Sequence, residues 1–104
     1  MATTVLNRGA AIMGDAVVSS AGTAVQLETD KTLGWHSVAI VAKLSNTGKI
    51  YVGGSDVDSN TSEGLAAGAS WDWMDMGKAH GIFLDDIYID ASVDGEGVDF
   101  AAVM

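Results

Sequence analysis

Residues 44–73 read LSNTGKIYVGGSDVDSNTSEGLAAGASWDW. The stretch combines a tight-turn signal, an alternating strand, a polar loop and a second alternating strand. Asn46-Thr47-Gly48 offers the Asn and Gly that take the positive-φ positions of a tight hairpin. Lys49-Ile50-Tyr51-Val52-Gly53 is then the returning strand. Ser55 to Gly68 is rich in Ser, Asp, Asn and Gly, the residues of turns and loops. From Ala69 to Met76 the chain alternates again, with Trp71, Trp73 and Asp75 on one face and Asp72, Met74 and Met76 on the other. That period of two belongs to a strand with unlike faces.

Upstream, His36 to Leu44 (HSVAIVAKL) is the longest strand, with Val38, Ile40, Ala42 and Leu44 on one face and Ser37, Ala39, Val41 and Lys43 on the other. Both faces are mostly apolar, which places it centrally in a sheet or between a sheet and a partner chain. Its β-branched residues and flanking turns favour strand over buried helix. The turn at 46–48 predicts that 36–44 and 49–53 pair antiparallel. Residues 15–28 read as two short strands about Ser20-Ala21-Gly22, and Asp30 to Gly34 as a connection. Downstream, Asp86 to Ser92 puts Ile87, Ile89 and Ala91 inward and Tyr88 and Asp90 outward. A turn at Asp94-Gly95-Glu96-Gly97 leads to a last strand, Val98 to Met104. Residues 1–14 lack firm periodicity and read as an N-terminal arm, leaving 15–104 as a single β-domain. The expectation is an all-β chain: a small antiparallel β-sandwich or barrel, jelly-roll-like, of about seven or eight strands.

Composition narrows the functional classes. A chain of 104 residues is one domain, and its 48 % hydrophobic content suffices for a single core. Gly is abundant, with 13 residues, while Pro is absent, so Gly, Asn, Asp and Ser must make the turns. Without Cys there is neither a disulfide framework nor a thiolate zinc site. The net charge of −9 opposes binding to a phosphate backbone. The five bases, Arg8, Lys31, Lys43, Lys49 and Lys78, are scattered and form no basic stripe, so nucleic acid is not an expected partner. No apolar run reaches the length of a signal peptide or membrane span, and a soluble chain without a membrane partner is expected.

No constellation for catalysis emerges. Asp56-x-Asp58-x-Asn60 begins like a calcium loop, but its sixth and twelfth positions are Thr61 and Ala67, where Gly and a carboxylate are required. Glu63 is left to close a looser oxygen site, and a solvated loop is the simpler reading. Trp71 and Trp73 share a strand face, suiting either a packed core or an aromatic platform for a sugar ring. Asp85 and Asp86, with Asp72, Asp75 and Asp90, are carboxylates of the kind glycosidases pair, yet no companion motif accompanies them. His36 and His80 stand apart in no metal-ligand spacing, and there is no nucleophile elbow or phosphate-cradling loop. The chain is therefore expected to have no catalytic residues, no metal and no cofactor.

The run NTGKIYVGGSDV, then GLAAGASWDW, then LDDIYIDASVDGEGVDF, resembles the pattern of small tailed-phage virion proteins. In these, Asn-Thr-Gly opens a hairpin, an I/V-Y-V/I-G strand returns, and a G-x-x-L-x-x-G turn precedes the next strand. A D-I-Y strand and a terminal strand follow. The resemblance spans about two-thirds of the chain, residues 38–104; relatives often carry Pro where this chain has Ala67. It implies a capsid decoration, or cement, protein of the phage virion. Such proteins are made in the host cytoplasm and sit on the outer capsid surface, commonly as homotrimers. They bind the major capsid protein and tie capsomers together against internal DNA pressure. For this chain it implies that the N-terminal arm reaches a neighbour, with Val5, Leu6, Arg8, Ile12 and Met13 as the subunit or capsid contacts. Two other roles remain open: a neck, tail or spike module, and a glycan-binding module using Trp71 and Trp73.

Overall fold

A computed structural model describes residues 11–28, 35, 37–60, 64–74 and 82–103. Seven strands run in order: β1 (Ala11–Val18), β2 (Val25–Gln26), β3 (Ser37–Ala42), β4 (Ile50–Gly53), β5 (Ser70–Met74), β6 (Tyr88–Ala91) and β7 (Glu96–Val103). A single 3₁₀ turn, Leu84–Asp86, leads into β6. The strands form two antiparallel sheets, one of four in the order β1-β7-β3-β5 and one of three in the order β2-β6-β4. The fold is a small β-sandwich.

Alternation explains the layers. Val38, Ile40 and Ala42 of β3 and Val98, Phe100 and Ala102 of β7 face inward from the four-stranded sheet. They meet Ile50 and Val52 of β4 and Ile89 and Ala91 of β6 from the other. Leu27, Trp35, Leu84 and Ile87 close the ends of this core. Each fully buried aliphatic side chain contributes about 1.5–3 kcal/mol by leaving water. Trp35 is held by two backbone bonds with Ile82, both 2.8 Å. As expected for a strand apolar on both faces, β3 is central, with β7 on one side and β5 on the other.

The hairpin predicted at 46–48 does not form. β3 and β4 lie in different sheets, and the segment between them is a crossover. Neither Asn46 nor Gly48 has a positive φ; a turn closed by Asn46 N–H to the Lys43 carbonyl, 3.0 Å, bends the chain out of the sheet instead. Both edges of β3 are already occupied, and the crossover takes its hydrogen bonds from β7. Because the strand ends at Ala42, Leu44 points to solvent, 85 % exposed, rather than inward.

Two further boundaries differ from expectation. β1 begins at Ala11, so Ala11 to Gly14 pair with Phe100 to Val103 and are sheet rather than arm. β7 begins at Glu96, after a turn in which Gly95 has φ +82°. Asp90 is buried rather than outward, because the turn after β1 folds over it. Its Oδ1 accepts from Gly22 N–H at 2.9 Å and Ala91 N–H at 2.8 Å.

Gly97 packs closely against the backbone of β1. A Cβ there would overlap the Ala16 carbonyl oxygen and lie 2.8 Å from Val17 Cα. Only backbone surrounds it on that side, so no side chain can rotate away. Gly97→Ala is expected to destabilise the fold by about 3 kcal/mol in urea unfolding. An unchanged midpoint would show that β1 and β7 do not approach this closely.

Candidate functional site

The residues singled out from sequence do not converge. Val5, Leu6 and Arg8 lie outside the described residues, as do Glu63, Asp75, His36 and His80. Ile12 and Met13 are neighbours on β1 and therefore point to opposite faces. Ile12 packs against the core, whereas Met13 stands outward, 85 % exposed. Asp58 caps its own loop by accepting the Asn60 backbone N–H at 2.8 Å. Val57, beside it, is buried and held by a backbone bond to Gly54. Among the described residues, no group of three His, Asp or Glu is placed to hold a metal ion.

The aspartates are likewise dispersed. Asp72 is on β5 of the four-stranded sheet, Asp90 is on β6 of the other, and Asp85 and Asp86 are in the 3₁₀ turn. The Asp85 carbonyl accepts from Gln26 Nε2 at 3.0 Å, fastening that turn to β2. Trp71 and Trp73 stack on one another, with centroids 5.8 Å apart and planes inclined by 28°. They stand opposite Ile40 and Val38 on the inner side of the edge strand β5. Trp73 packs against the core, and Trp71, at the open edge, is 41 % exposed. The pair closes one side of the sandwich, with Trp73 half-buried and Trp71 the more open of the two rings.

The sequence reading missed the feature that the fold assembles most clearly, the outward face of the four-stranded sheet. In register across β1, β7, β3 and β5 lie Met13, Ala101, Ala39 and Asp72. The adjacent row runs Asp15, Asp99, Val41 and Ser70. Val17 and Val103, 43 % and 41 % exposed, extend the apolar area toward either end. Lys43 Nζ sits between Asp99 at 2.8 Å and Asp15 at 3.2 Å, offsetting part of the negative charge on that row. Its hydrogen bonds to Asp99 and then to Asp15 raise its pKa above the ordinary 10.5. On a chain of net charge −9, a face where Met, Val and Ala outnumber the charged side chains suits contact with another protein surface. The signal was present in the small and apolar outward residues Ala11, Met13 and Val17, but the first two fell in a stretch read as an arm, which has no faces, and the third in a separate short strand.

The crossover behind this face is clamped to the start of β7. Asn46, buried, donates from Nδ2 to the Gly97 carbonyl at 2.8 Å and accepts from Gly97 N–H on Oδ1 at 3.3 Å. The Glu96 carboxylate accepts from Thr47 N–H at 2.6 Å, Thr47 Oγ1 at 2.8 Å and Gly48 N–H at 2.9 Å. The Thr47 and Gly48 backbone donors, in that order, hold the Glu96 pKa below the ordinary 4.5.

Matched against family models, curated proteins and solved structures, the chain finds no counterpart in any of the three.

Two measurements check the clamp. Asn46→Ala leaves the buried Gly97 N–H unpaired and is expected to cost about 1–3 kcal/mol in urea unfolding. A lowered carboxylate pKa gives stability that is present above the ordinary value and lost as pH falls through the folded one. Glu96→Gln should therefore flatten the fall in melting temperature below about pH 4.5 relative to the unsubstituted chain. Parallel acid limbs for the two proteins would mean that Glu96 does not hold the crossover.

Proposed function

We propose that this protein is a structural component of a tailed-phage virion, one that decorates the outer capsid surface and ties neighbouring capsomers together. The observation carrying the reading is the outward face of the four-stranded sheet, where Met13, Val17, Val41 and Val103 stand exposed around alanines. Exposed valines and a methionine on so acidic a chain are retained at little cost when another surface covers them. The resemblance of residues 38–104 to small virion proteins names that surface as the major capsid protein. The spread of Asp72, Asp85, Asp86 and Asp90 over both sheets and the 3₁₀ turn supports a binding role over a catalytic one.

Acidity away from the face fits the same role. Such a charge keeps the protein soluble, and the sheet face, where Lys43 offsets part of the charge of Asp15 and Asp99, is then the side by which it approaches the capsid.

The test has two parts. Labelled protein on purified virions should scatter over the head; label confined to one vertex or to the tail overturns decoration in favour of a neck or tail module. Replacing Val41 and Val103 with Lys should weaken binding to protein-free capsids by more than about tenfold, with the circular dichroism spectrum unchanged. Undiminished binding would remove the sheet face from the contact.

A further inference from the structure

The two sheets leave four edges, and they differ in how they are finished. β2 is only two residues long. β4 is capped by Leu65, which exchanges backbone hydrogen bonds with Ile50 at 3.0 and 2.7 Å. β5 has five residues and carries Asp72 in mid-strand. β1 is unlike these. It has eight residues, AIMGDAVV, paired one-to-one with β7 from Ala11–Val103 to Val18–Glu96. Among the described residues no strand pairs with its far side. Nothing on it discourages a further strand: there is no Pro, no Lys and no bulge, and its single charge, Asp15, is engaged by Lys43.

We infer that β1 is a homodimer interface, in which β1 of a second copy adds antiparallel about a two-fold axis to give a continuous eight-stranded sheet. An identical strand matches this edge in length, and the four-stranded sheets of both copies then share one outward face. The register follows from side-chain direction and charge. Residues opposite one another across antiparallel strands point to the same face, so a two-fold axis must pass through a residue of β1. Centring it on Asp15 would set two aspartates side by side. Centring it on Gly14 places Met13 against Asp15 of the second copy and Ala11 against Val17 of the second copy. Gly14 also suits the axis because the Phe100 ring covers its inner side, with Cζ 2.9 Å from where a Cβ would stand. The core therefore stays closed at the junction. This inference stands on the strand edge and does not depend on the capsid reading; it implies pairs where the family resemblance implies trimers.

The experiment uses the full chain in solution. Light scattering at high micromolar concentration should give twice the 10.7 kDa chain mass. Met13→Asp would place a new carboxylate against Asp15 of the second copy on both sides of the axis, and should give the single-chain mass with an unchanged circular dichroism spectrum. Leu44→Asp, equally exposed but off the edge, should stay dimeric. Because the chain has no Cys, register can be read by mixing an Ala11→Cys chain with a Val17→Cys chain and oxidising, which should yield the mixed disulfide. Monomeric or trimeric wild-type protein overturns the inference, as does efficient cross-linking of a Met13→Cys chain to a Val17→Cys chain instead, the signature of an Asp15-centred axis. Each of these outcomes leaves the binding of the protein to capsids to be judged separately.

Discussion

The peptide group of Gly97 is the point on which this sandwich turns. On one side it lies against the Ala16 carbonyl and Val17 of β1, so closely that no side chain fits. On the other, its carbonyl accepts from Lys43 N–H at 3.1 Å and from the Asn46 amide, whose oxygen takes the Gly97 N–H. One residue thus fixes β7 against β1 and anchors the crossover that carries the chain from one sheet to the other. Glu96, its neighbour, satisfies the next two backbone donors of that crossover. A buried polar network of this kind is stabilising only when every member is paired, and here the members pair with backbone groups that a crossover would otherwise leave open.

The strand pattern was legible because period-two alternation is imposed by burial on one face. It placed β3, β4, β5, β6 and most of β7 within a residue or two, put Val38, Ile40 and Ala42 on one face and identified Ile87, Ile89 and Ala91 as inward. Strand pairing was not legible. Asn-Thr-Gly carries a local hairpin signal, and neighbouring strands do pair more often than not. Here the signal is outweighed by hydrogen bonds to Glu96 and Gly97, far along the chain, which local pattern reading does not weigh. Asp90 misled for the same reason: an aspartate at an outward position looks solvated until the Gly22 turn folds over it.

Missing the pairing also hid the candidate site. With β3 in a hairpin to β4, Ser37, Ala39 and Val41 would be parted from β7. With β3 between β7 and β5 they join Ala101, Asp99 and Met13 on one broad face. That face is what makes a binding role readable at all, because it collects small and apolar residues that sequence alone scatters over three separate strands. The alternation of β1 itself (Ala11, Met13, Asp15 and Val17 outward) was obscured by glycine and alanine, which give weak periodicity.

Everything proposed here about faces and edges rests on β3 lying between β7 and β5. Nuclear Overhauser contacts between Hα protons of directly opposed residues report strand neighbours without ambiguity. The account requires Hα–Hα contacts from Val38 to Ala102 and from Ile40 to Phe100, the pairs that do not exchange backbone hydrogen bonds. Contacts from Val41 or Ala42 to Tyr51 or Val52 instead would restore the hairpin and dissolve the outward face on which the functional reading stands.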